Sequence, residues 1–282
     1  MILIDFTQTI IAGLMAQLKM NDGEINEDML RHMILNSVRN YSKRYSSEYG
    51  QIVLCTDASN PWRREYFPQY KANRKADREK SGIDWPVLFD TLNQIKQELK
   101  DNFPYRVIQV EGAEADDVIG VLCFEFGSEL NNGESILILS GDKDFVQLQT
   151  FGNVTQYDFV RKKHIYVSDP DQFRERLILS GDRGDGIPNV LSPDTCFVEG
   201  QRQKPLRENK IVEILRGDKQ SDEIMRNWHR NKMLIDLRHT PSDIRDRILK
   251  EYNKESGKGR ERIFNYFIQH KMKLLTEHIG EF

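Results

Sequence analysis

The sequence has few cysteines and no long apolar run, and both features narrow the class of protein. Its three cysteines, Cys55, Cys123 and Cys196, are odd in number and far apart, so they form neither a disulfide framework nor a CxxC metal motif. No stretch approaches the roughly 18 apolar residues of a membrane-spanning helix. The start, MILIDFTQTI, lacks the features of a secretory signal. We therefore expect a cytoplasmic protein without membrane contact.

The chain also has no large excess of positive or of negative charge. The formal net charge is −3 over 282 residues, with 38% hydrophobic and 30% charged residues, which is typical of a soluble chain of one or two domains. The charges are unevenly distributed, however. Residues 60–80 contain seven Lys and Arg against three acids. A local basic surface of this kind is compatible with a polyanionic partner but does not establish one.

Four short apolar runs, rich in Ile and Val, predict buried strands at residues 2–4, 52–55, 107–110 and 136–139. Between them, apolar residues recur with helical spacing, for example over residues 29–38 and 88–99. Alternation of strand and helix indicates an α/β domain with a mainly parallel sheet.

Each of the four predicted strands is followed by acidic residues. These are Asp5 after the first, Asp57 after the second, Glu114, Asp116 and Asp117 after the third, and Asp142 and Asp144 after the fourth. The carboxyl ends of parallel strands share one edge of the sheet, so these side chains should converge. Crowded carboxylates repel one another unless cations neutralise them. Oxygen ligands without His or Cys favour Mg²⁺ or Mn²⁺ over zinc.

A fifth acidic motif identifies a family. The segment LILSGDRGDGIPNV, residues 177–190, contains Asp182 and Asp185 and resembles the GDxxDNIPGV signature of the structure-specific 5′-nucleases, the flap endonuclease family. EADD at 114–117, SGDKDF at 140–145 and YKANR at 70–74 match other motifs of that family in order and spacing. The resemblance covers roughly residues 1–190.

The resemblance implies an α/β, parallel-sheet (PIN-like) nuclease domain at residues 1–182, with a helical arch at about 60–82. A mostly α-helical DNA-binding domain would follow at 183–282. The spacing of Ile211, Ile214 and Leu215, and of Ile263, Phe264, Phe267 and Ile268, independently predicts packed helices there. Unlike most relatives, the chain lacks a glycine pair after the GDxxD motif, so the duplex grip of the family is not expected in its usual form.

The implied activity is metal-dependent 5′-to-3′ exonuclease and flap endonuclease cleavage, which removes RNA primers and 5′ flaps. Two Mg²⁺ ions, replaceable by Mn²⁺, would be held by the acidic residues: Asp5, Asp57, Glu114, Asp116 and Asp117 near the first ion, and Asp142, Asp144, Asp182 and Asp185 near the second. Lys71 and Arg74 would contact the scissile or 5′-terminal phosphate.

The resemblance also implies partners. Arg64, Lys75 and Arg78 would attract the single strand, and Tyr70 would stack on bases or pack beneath a helix. Arg202, Lys204, Arg207 and Lys210 would contact duplex phosphates or form an ordinary solvated face. The expected substrates are DNA and RNA–DNA hybrids with 5′ ends, flaps or nicks, bound by a monomer. A single-strand-binding protein and a sliding clamp would be protein partners. A DNA-binding protein of the same fold with weak catalysis is the alternative, which the full acidic set disfavours.

Overall fold

A six-stranded sheet forms the centre of the structure, a computed structural model that describes residues 1–18, 26–128, 133–254 and 259–282. The strands are β1 (Ile2–Asp5), β2 (Ile52–Cys55), β3 (Arg106–Ile108), β4 (Ile136–Leu139), β5 (Val154–Asp158) and β6 (Lys163–Ile165). Their order is β3-β2-β1-β4-β5-β6, and only β6 runs antiparallel to its neighbour. The predicted mainly parallel sheet is confirmed.

The helices of the described ranges surround this sheet. They are α1 (Phe6–Leu18), α2 (Glu27–Tyr49), α3 (Trp62–Tyr66), α4 (Arg74–Glu79), α5 (Trp85–Asn102), α6 (Ala115–Phe126), α7 (Pro170–Ser180), α8 (Glu208–Leu215), α9 (Asp222–Ile235), α10 (Ser242–Lys254), α11 (Ile263–Gln269) and α12 (Lys273–Thr276). Short 3₁₀ helices cover Lys143–Thr150, Leu237–His239 and Ile279–Glu281. In these ranges, no helix has the length and apolar character that spanning a membrane requires.

Successive side chains of a strand point to opposite faces of the sheet, so two hydrophobic cores form, one on each face. Ile2 and Ile4 belong to one core, and Leu3 belongs to the other. The first core is covered by α1, α2 and α5, whereas α6 and α10 cover the second. Because both faces are covered, β2 and β4 are apolar at every position and β1 is apolar up to Asp5, which is why these strands appear in the sequence as continuous runs.

Residues near the C-terminus return to the sheet. Ile263, Tyr266 and Phe267 on α11 enter the first core, and Ile244 on α10 enters the second. Phe103 contacts the rings of Tyr266 and Phe267 at centroid distances of 5.2 and 5.9 Å. Hydrophobic packing therefore crosses the predicted boundary between residues 182 and 183, and that boundary stays a prediction.

The mostly helical character of the C-terminal part is confirmed, but its predicted packing is partly wrong. Phe264 and Ile268 were expected to pack with Ile263 and Phe267, yet they are 52% and 59% exposed. The buried positions of α11 are Ile263, Tyr266 and Phe267, so its inward face includes a tyrosine that the apolar pattern omits.

Candidate metal centre and nucleic-acid cleft

The strand order brings the acidic strand ends together. From β1 the chain continues to β2 and β3 on one side, and β4 lies on the other side of β1. This reversal leaves a crevice outside the carboxyl ends of β1 and β4, the usual ligand position in open α/β sheets. Asp5 ends β1, and Asp142 lies just beyond β4. Both line a cleft of about 930 Å³.

Asp5 and Asp57 are fixed by backbone amides of neighbouring elements. Asp5 Oδ1 accepts a hydrogen bond from the Gln8 amide at 3.1 Å, and Asp57 Oδ1 accepts one from the Ala115 amide at 3.0 Å. Burial and the charge of Asp57 raise the pKa of Asp5 to about 7. Asp57 is exposed at the cleft wall. Each carboxylate retains one oxygen outside these backbone contacts.

Gln8 is a residue that sequence reasoning missed. Its side-chain amide donates to Asp142 Oδ2 at 3.3 Å, and its carbonyl oxygen accepts from the Ser140 hydroxyl. Gln8 therefore joins the end of β1 to the end of β4. The sequence does contain one signal for Gln8. Gln8 follows the strand-ending Asp5 by three residues, and this spacing allows the Asp5 side chain to cap a helix that begins after the strand.

Asp142 and Asp144 lie at the start of the 3₁₀ helix Lys143–Thr150. Asp142 Oδ1 accepts from the Asp144 amide at 3.0 Å, so the first aspartate orients the second. Asp144 Oδ1 is buried and has no hydrogen-bond partner. Burial, followed by the charge of Asp142, raises the pKa of Asp144 well above its ordinary range. Such a carboxylate is costly to ionise unless a cation is nearby.

Asp182 and Asp185 are presented by a tight loop after α7. Asp182 Oδ1 accepts from the amides of Gly184 and Asp185, and the loop closes through paired backbone bonds between Asp182 and Ile187. Gly186 adopts a φ of +73°, and a Cβ there would lie 3.0 Å from the Gln69 carbonyl. A glycine at this position thus permits the loop to approach the 60–82 segment.

Glu114 precedes α6 and is surrounded by donors. Lys71 Nζ lies 2.6 Å from its Oε1, while Arg63 and the Tyr70 hydroxyl contact its Oε2 at 3.0 and 2.9 Å. Burial opposes ionisation, but the charges of Lys71 and Arg63 outweigh it and lower the pKa of Glu114 to about 2. Asp116, on the first turn of α6, lines the cleft. Burial raises the pKa of Asp116, against the opposing charge of Lys71.

The prediction of Asp117 as a metal ligand is wrong in this structure. Its side chain is fully buried, and both oxygens are saturated. Oδ2 accepts from Arg63 and the Glu114 amide, and Oδ1 accepts from Trp62 and the Thr240 hydroxyl, all within 2.8–3.2 Å. Asp117 therefore fixes the start of α6, and its neighbours Glu114 and Asp116 face the cleft.

Arg63, which sequence reasoning also missed, connects three parts of the chain. It belongs to α3, is 3% exposed, and contacts Glu114 and Asp117 near α6. Its Nε donates to the Leu234 carbonyl on α9 at 2.8 Å. The guanidinium therefore compensates two carboxylates and positions Glu114.

Replacement of Arg63 by Gln is expected to destabilise the protein by about 3–5 kcal/mol, because it leaves buried Asp117 without its cation. Urea unfolding of the metal-free protein measures the change. Arg64→Gln is the matched control, since Arg64 is the exposed neighbour on α3. If both variants unfolded at the same urea concentration, the buried network would have no special energetic role.

Besides Arg63, three basic residues form ion pairs with the acidic centre. Lys71 contacts Glu114 and lies 3.7 Å from Asp185, Arg74 contacts Asp185 at 2.7 Å, and Lys143 contacts Asp182 at 2.6 Å. Lys71 has a φ of +55°, and its amide donates to the Asp185 carbonyl at 2.8 Å. This backbone contact holds a lysine in a conformation that favours glycine, so its position is closely specified.

The prediction that Tyr70 stacks on bases is wrong for this structure. Tyr70 is 1% exposed and packs with Phe67 in a third hydrophobic cluster. Its hydroxyl donates towards Glu114 and lies 3.1 Å from Asp185. Tyr66, another aromatic residue of this segment, is 48% exposed. The packing alternative therefore applies to Tyr70, which orients two carboxylates.

The 60–82 segment forms α3 and α4 and supplies one wall of the cleft. Arg64, Lys75 and Arg78 line it, and their role in attracting a strand stays a prediction. A wall that the sequence did not indicate comes from α5, through Phe89, Leu92, Asn93 and Lys96. Leu92 belongs to the apolar pattern that predicted the helix, whereas Phe89, Asn93 and Lys96 were missed because that pattern showed only the buried face. An arch that closes over a strand stays a prediction.

The four predicted cations of the C-terminal part lie outside the cleft. Arg202, Lys204 and Arg207 are exposed, and Lys210 pairs with Glu213 at 2.6 Å. Arg202 and Lys204 lie in an irregular segment that Asn189 holds through Gln203 and the Lys204 carbonyl. The structure does not bring these cations to the acidic centre, so any nucleic-acid contact they make is separate from it.

The acidic centre fits divalent cations by its donor chemistry. Within the described ranges, no three His, Cys, Asp or Glu side chains are already drawn into a metal-binding group. Instead, lysine and arginine neutralise part of the cluster. Asp144 has an oxygen without a protein partner, and burial raises the pKa values of Asp5, Asp116 and Asp142 despite the lysines nearby. A hard, oxygen-preferring cation would provide a counter-charge.

Comparison with known proteins assigns the chain to a family. Residues 1–178 match the family described as 5′-3′ exonuclease, N-terminal resolvase-like domain, and residues 174–282 match that described as T4 RNase H, C terminal. The chain is 36% identical to the Ribonuclease H of Enterobacteria phage T4, over 99% of this chain and 95% of the relative. It is 29% identical to a 5′-3′ exonuclease of Buchnera aphidicola, over 83% and 85%.

Solved structures agree at the level of the fold. A phage T5 5′-exonuclease with bound zinc has a TM-score of 0.64 and 19% identity, covering 91% of this chain and 99% of that one. A phage T5 flap endonuclease in a complex with DNA and metal ions has the same TM-score and identity, covering 90% and 98%. Fold, motifs and whole-length similarity agree: this chain belongs to the 5′-3′ exonuclease family of nucleases, with a C-terminal part of the phage T4 RNase H type.

Proposed function

We propose that this 5′-nuclease hydrolyses phosphodiester bonds near 5′ ends of DNA and RNA–DNA hybrids, using two Mg²⁺ ions that Mn²⁺ can replace. The observation that carries the proposal is the convergence of acidic strand ends on a cleft with a basic wall from the 60–82 segment. Carboxylates suit the ions, and the basic wall suits the phosphates of a strand. Removal of RNA primers and of 5′ flaps is the corresponding biological reaction.

The residues that would hold the metals fall into two groups. Asp5, Asp57, Glu114 and Asp116 lie towards β1, β2 and α6, while Asp142, Asp144, Asp182 and Asp185 lie towards β4 and the loop after α7. When bound, a pair of divalent ions supplies an activated water and stabilises charge on the attacking and leaving oxygens. Asp117 is not included, because its oxygens are saturated by protein donors.

Lys71 is the residue of the chain best placed to act on the phosphate. Its ammonium lies at the cleft surface, held between Glu114 and Asp185. There it would donate a hydrogen bond to a phosphate oxygen and stabilise the negative charge that grows in the transition state. Arg74, anchored by Asp185 and 46% exposed, would bind an adjacent phosphate oxygen through its remaining donors.

The protein partners form a separate part of the proposal. A single-strand-binding protein and a sliding clamp would recruit the enzyme to replication intermediates in the cytoplasm, where it would act as a monomer. Only the family resemblance supports these partners. Analytical ultracentrifugation of the chain alone, and then with each candidate protein, would test them.

The activity is tested by digestion of 5′-labelled flap DNA, nicked duplex and RNA–DNA hybrid, each with Mg²⁺, Mn²⁺ or EDTA. Cleavage from the 5′ end with either metal, and none with EDTA, is the expected result. The Asp116→Asn variant controls for a contaminating nuclease. Metal-independent cleavage, or equal cleavage by the variant, would contradict the proposal.

The C-terminal cations are proposed to contact duplex phosphates. Charge reversal at Arg207 and Lys210 should lower duplex affinity and flatten the dependence of log affinity on log salt, because fewer counterions are released. A double reversal at Lys250 and Lys254 on α10 is the control. An unchanged slope for the Arg207 and Lys210 variant would show that this face does not touch the duplex.

A further inference from the structure

One wall of the cleft contains none of the residues proposed to bind the metals or the phosphate. It is formed on α5 by Phe89, Leu92, Asn93 and Lys96, and we call these four residues the α5 wall. Arg78 faces it from α4: its guanidinium lies 4.9 Å from the centre of the Phe89 ring and 5.3 Å from that of Trp85. The α5 wall and Arg78 thus present two cations and an apolar ring to the same space.

Lys96 differs from the cations around the acidic centre. Lys71, Arg74 and Lys143 each contact a carboxylate within 2.7 Å. Lys96 Nζ instead donates to the neutral Asn93 Oδ1 at 2.8 Å, and none of the described carboxylates lies within ion-pairing distance of it. Burial lowers its pKa, against the opposing charge of Asp57. A partly desolvated ammonium without an anion is an unfavourable arrangement unless a ligand supplies the anion.

Arg78 also has no ion pair with a described carboxylate, and its guanidinium lies instead over the Trp85 and Phe89 rings. Burial lowers its pKa, and the charges of Arg74 and Arg64 lower it further. Repulsion among these cations would be relieved by an anion placed between them and Lys96. The adjoining surface is apolar, from Phe89 and Leu92 on one side and Ile11 and Ala12 of α1 on the other. A ligand for this surface would combine an anion with a flat apolar group. A nucleotide has both, in its phosphate and its base.

We propose that the α5 wall and Arg78 form a subsite for a phosphodiester of the unpaired 5′ strand, with Lys96 Nζ as the phosphate ligand. The cleft, at about 930 Å³, has room for nucleotides of a single strand. The inference rests on the proposed function and deepens it, because it assigns a further contact of the substrate strand. Asn93 orients the ammonium and is a positioning residue.

The test uses Lys96→Gln, which removes the charge and keeps a polar side chain of similar reach. Affinity is measured with Ca²⁺ in place of Mg²⁺ for a duplex carrying a labelled 5′ flap and for the same nicked duplex without a flap. Lys96→Gln should weaken flap binding about tenfold, the scale of one charge-assisted hydrogen bond, and leave the nicked duplex unaffected. Lys96→Arg should restore most of the affinity.

Lys100→Gln is the matched control on the same helix. Lys100 lies one turn further along α5, pairs with Glu251 at 3.1 Å, and is not part of the cleft wall. Its replacement should change neither affinity. Asn93→Asp is an independent variant, since it keeps Lys96 and places a carboxylate beside it. It should weaken flap binding to a similar extent, and it keeps the test valid if Lys96→Gln folds poorly.

A flap with uncharged methylphosphonate linkages identifies the ligand group. Wild type and Lys96→Gln should bind that flap equally, because it offers no phosphate charge. Equal binding of the ordinary flap by both proteins would overturn the inference, as would an equal loss on the nicked duplex. Failure of the proposed function is a separate result, namely no cleavage by wild type with Mg²⁺, whereas these affinities are measured without turnover.

Discussion

Replacement of Asp144 by Asn is expected to lower the cleavage rate by at least about a hundredfold, while the affinity for flap DNA changes by less than about threefold. The loss follows from the position of this carboxylate, which has a buried oxygen without a protein partner and is oriented by Asp142. An amide supplies at most one neutral oxygen there. The metal placement that stabilises the transition state would therefore be impaired.

The same variant should be at least as stable as wild type in the absence of metal. Burial and the charge of Asp142 raise the pKa of Asp144, so ionisation at neutral pH disfavours the folded state. Asparagine removes that charge. A carboxyl with a raised folded pKa costs stability above its unfolded pKa, so the gain should be present at pH 7 and absent near pH 3. Thermal melts in EDTA at both pH values measure it.

Asp158→Asn is the matched control for Asp144→Asn. Asp158 is buried at the end of β5, and its Oδ1 accepts from the amides of Val160 and Arg161 at 2.9 Å. Its replacement should lower the melting temperature and leave single-turnover cleavage within about threefold of wild type. A reversed pattern, with Asp158→Asn inactive and Asp144→Asn active, would remove Asp144 from the mechanism.

Lys71→Ala is expected to lower the single-turnover cleavage rate by about a hundredfold or more, equivalent to about 2.7 kcal/mol. The ammonium lies between Glu114 and Asp185, where it would meet charge that grows on the phosphate. Affinity should change much less, because other cations of the cleft still attract the strand. Rapid-quench measurements at saturating enzyme separate the two quantities.

Lys75→Ala provides the comparison for Lys71→Ala. Lys75 lines the same cleft, is exposed, and lies one position beyond Arg74. Its loss should weaken binding at high salt and leave the rate at saturation unchanged. If Lys71→Ala behaved in the same way as Lys75→Ala, Lys71 would be one more attracting charge and its catalytic role would be excluded.

The parts of the fold that could be predicted from the sequence are those buried on both faces. The four apolar runs are strands, with the third found at Arg106–Ile108 instead of 107–110. β5, with sequence VTQYD, and β6, with sequence KHI, were not predicted. β6 is the edge strand, where polar residues are tolerated. β5 lies inside it and is mostly buried, but it includes Gln156, whose side chain donates to the Ser140 and Asp142 carbonyls, so neither strand forms an apolar run.

For the candidate site, the sequence indicated which residues are candidate metal ligands and phosphate-binding residues. It did not indicate which of them form hydrogen bonds and ion pairs with one another. Asp117 and Tyr70 belong to matching motifs, yet both are used internally because Arg63 and Glu114 lie beside them. In the sequence, Arg63 cannot be distinguished from the other cations of the basic segment at residues 60–80. Its burial depends on α6 and α9, which are distant in sequence, so no local pattern could reveal it.

The central position of β1 in the sheet has a consequence for how the chain folds. β1 pairs with β2, about fifty residues later, and with β4, which begins at Ile136. The strand that carries Asp5 therefore gains its second neighbour only when contacts of long sequence separation form. Contacts of this kind slow folding. We expect β1 amides to acquire protection late in refolding and, once protected, to exchange only through global unfolding. Pulse-labelling hydrogen exchange would follow this order, with the locally bonded amides of α2 protected first.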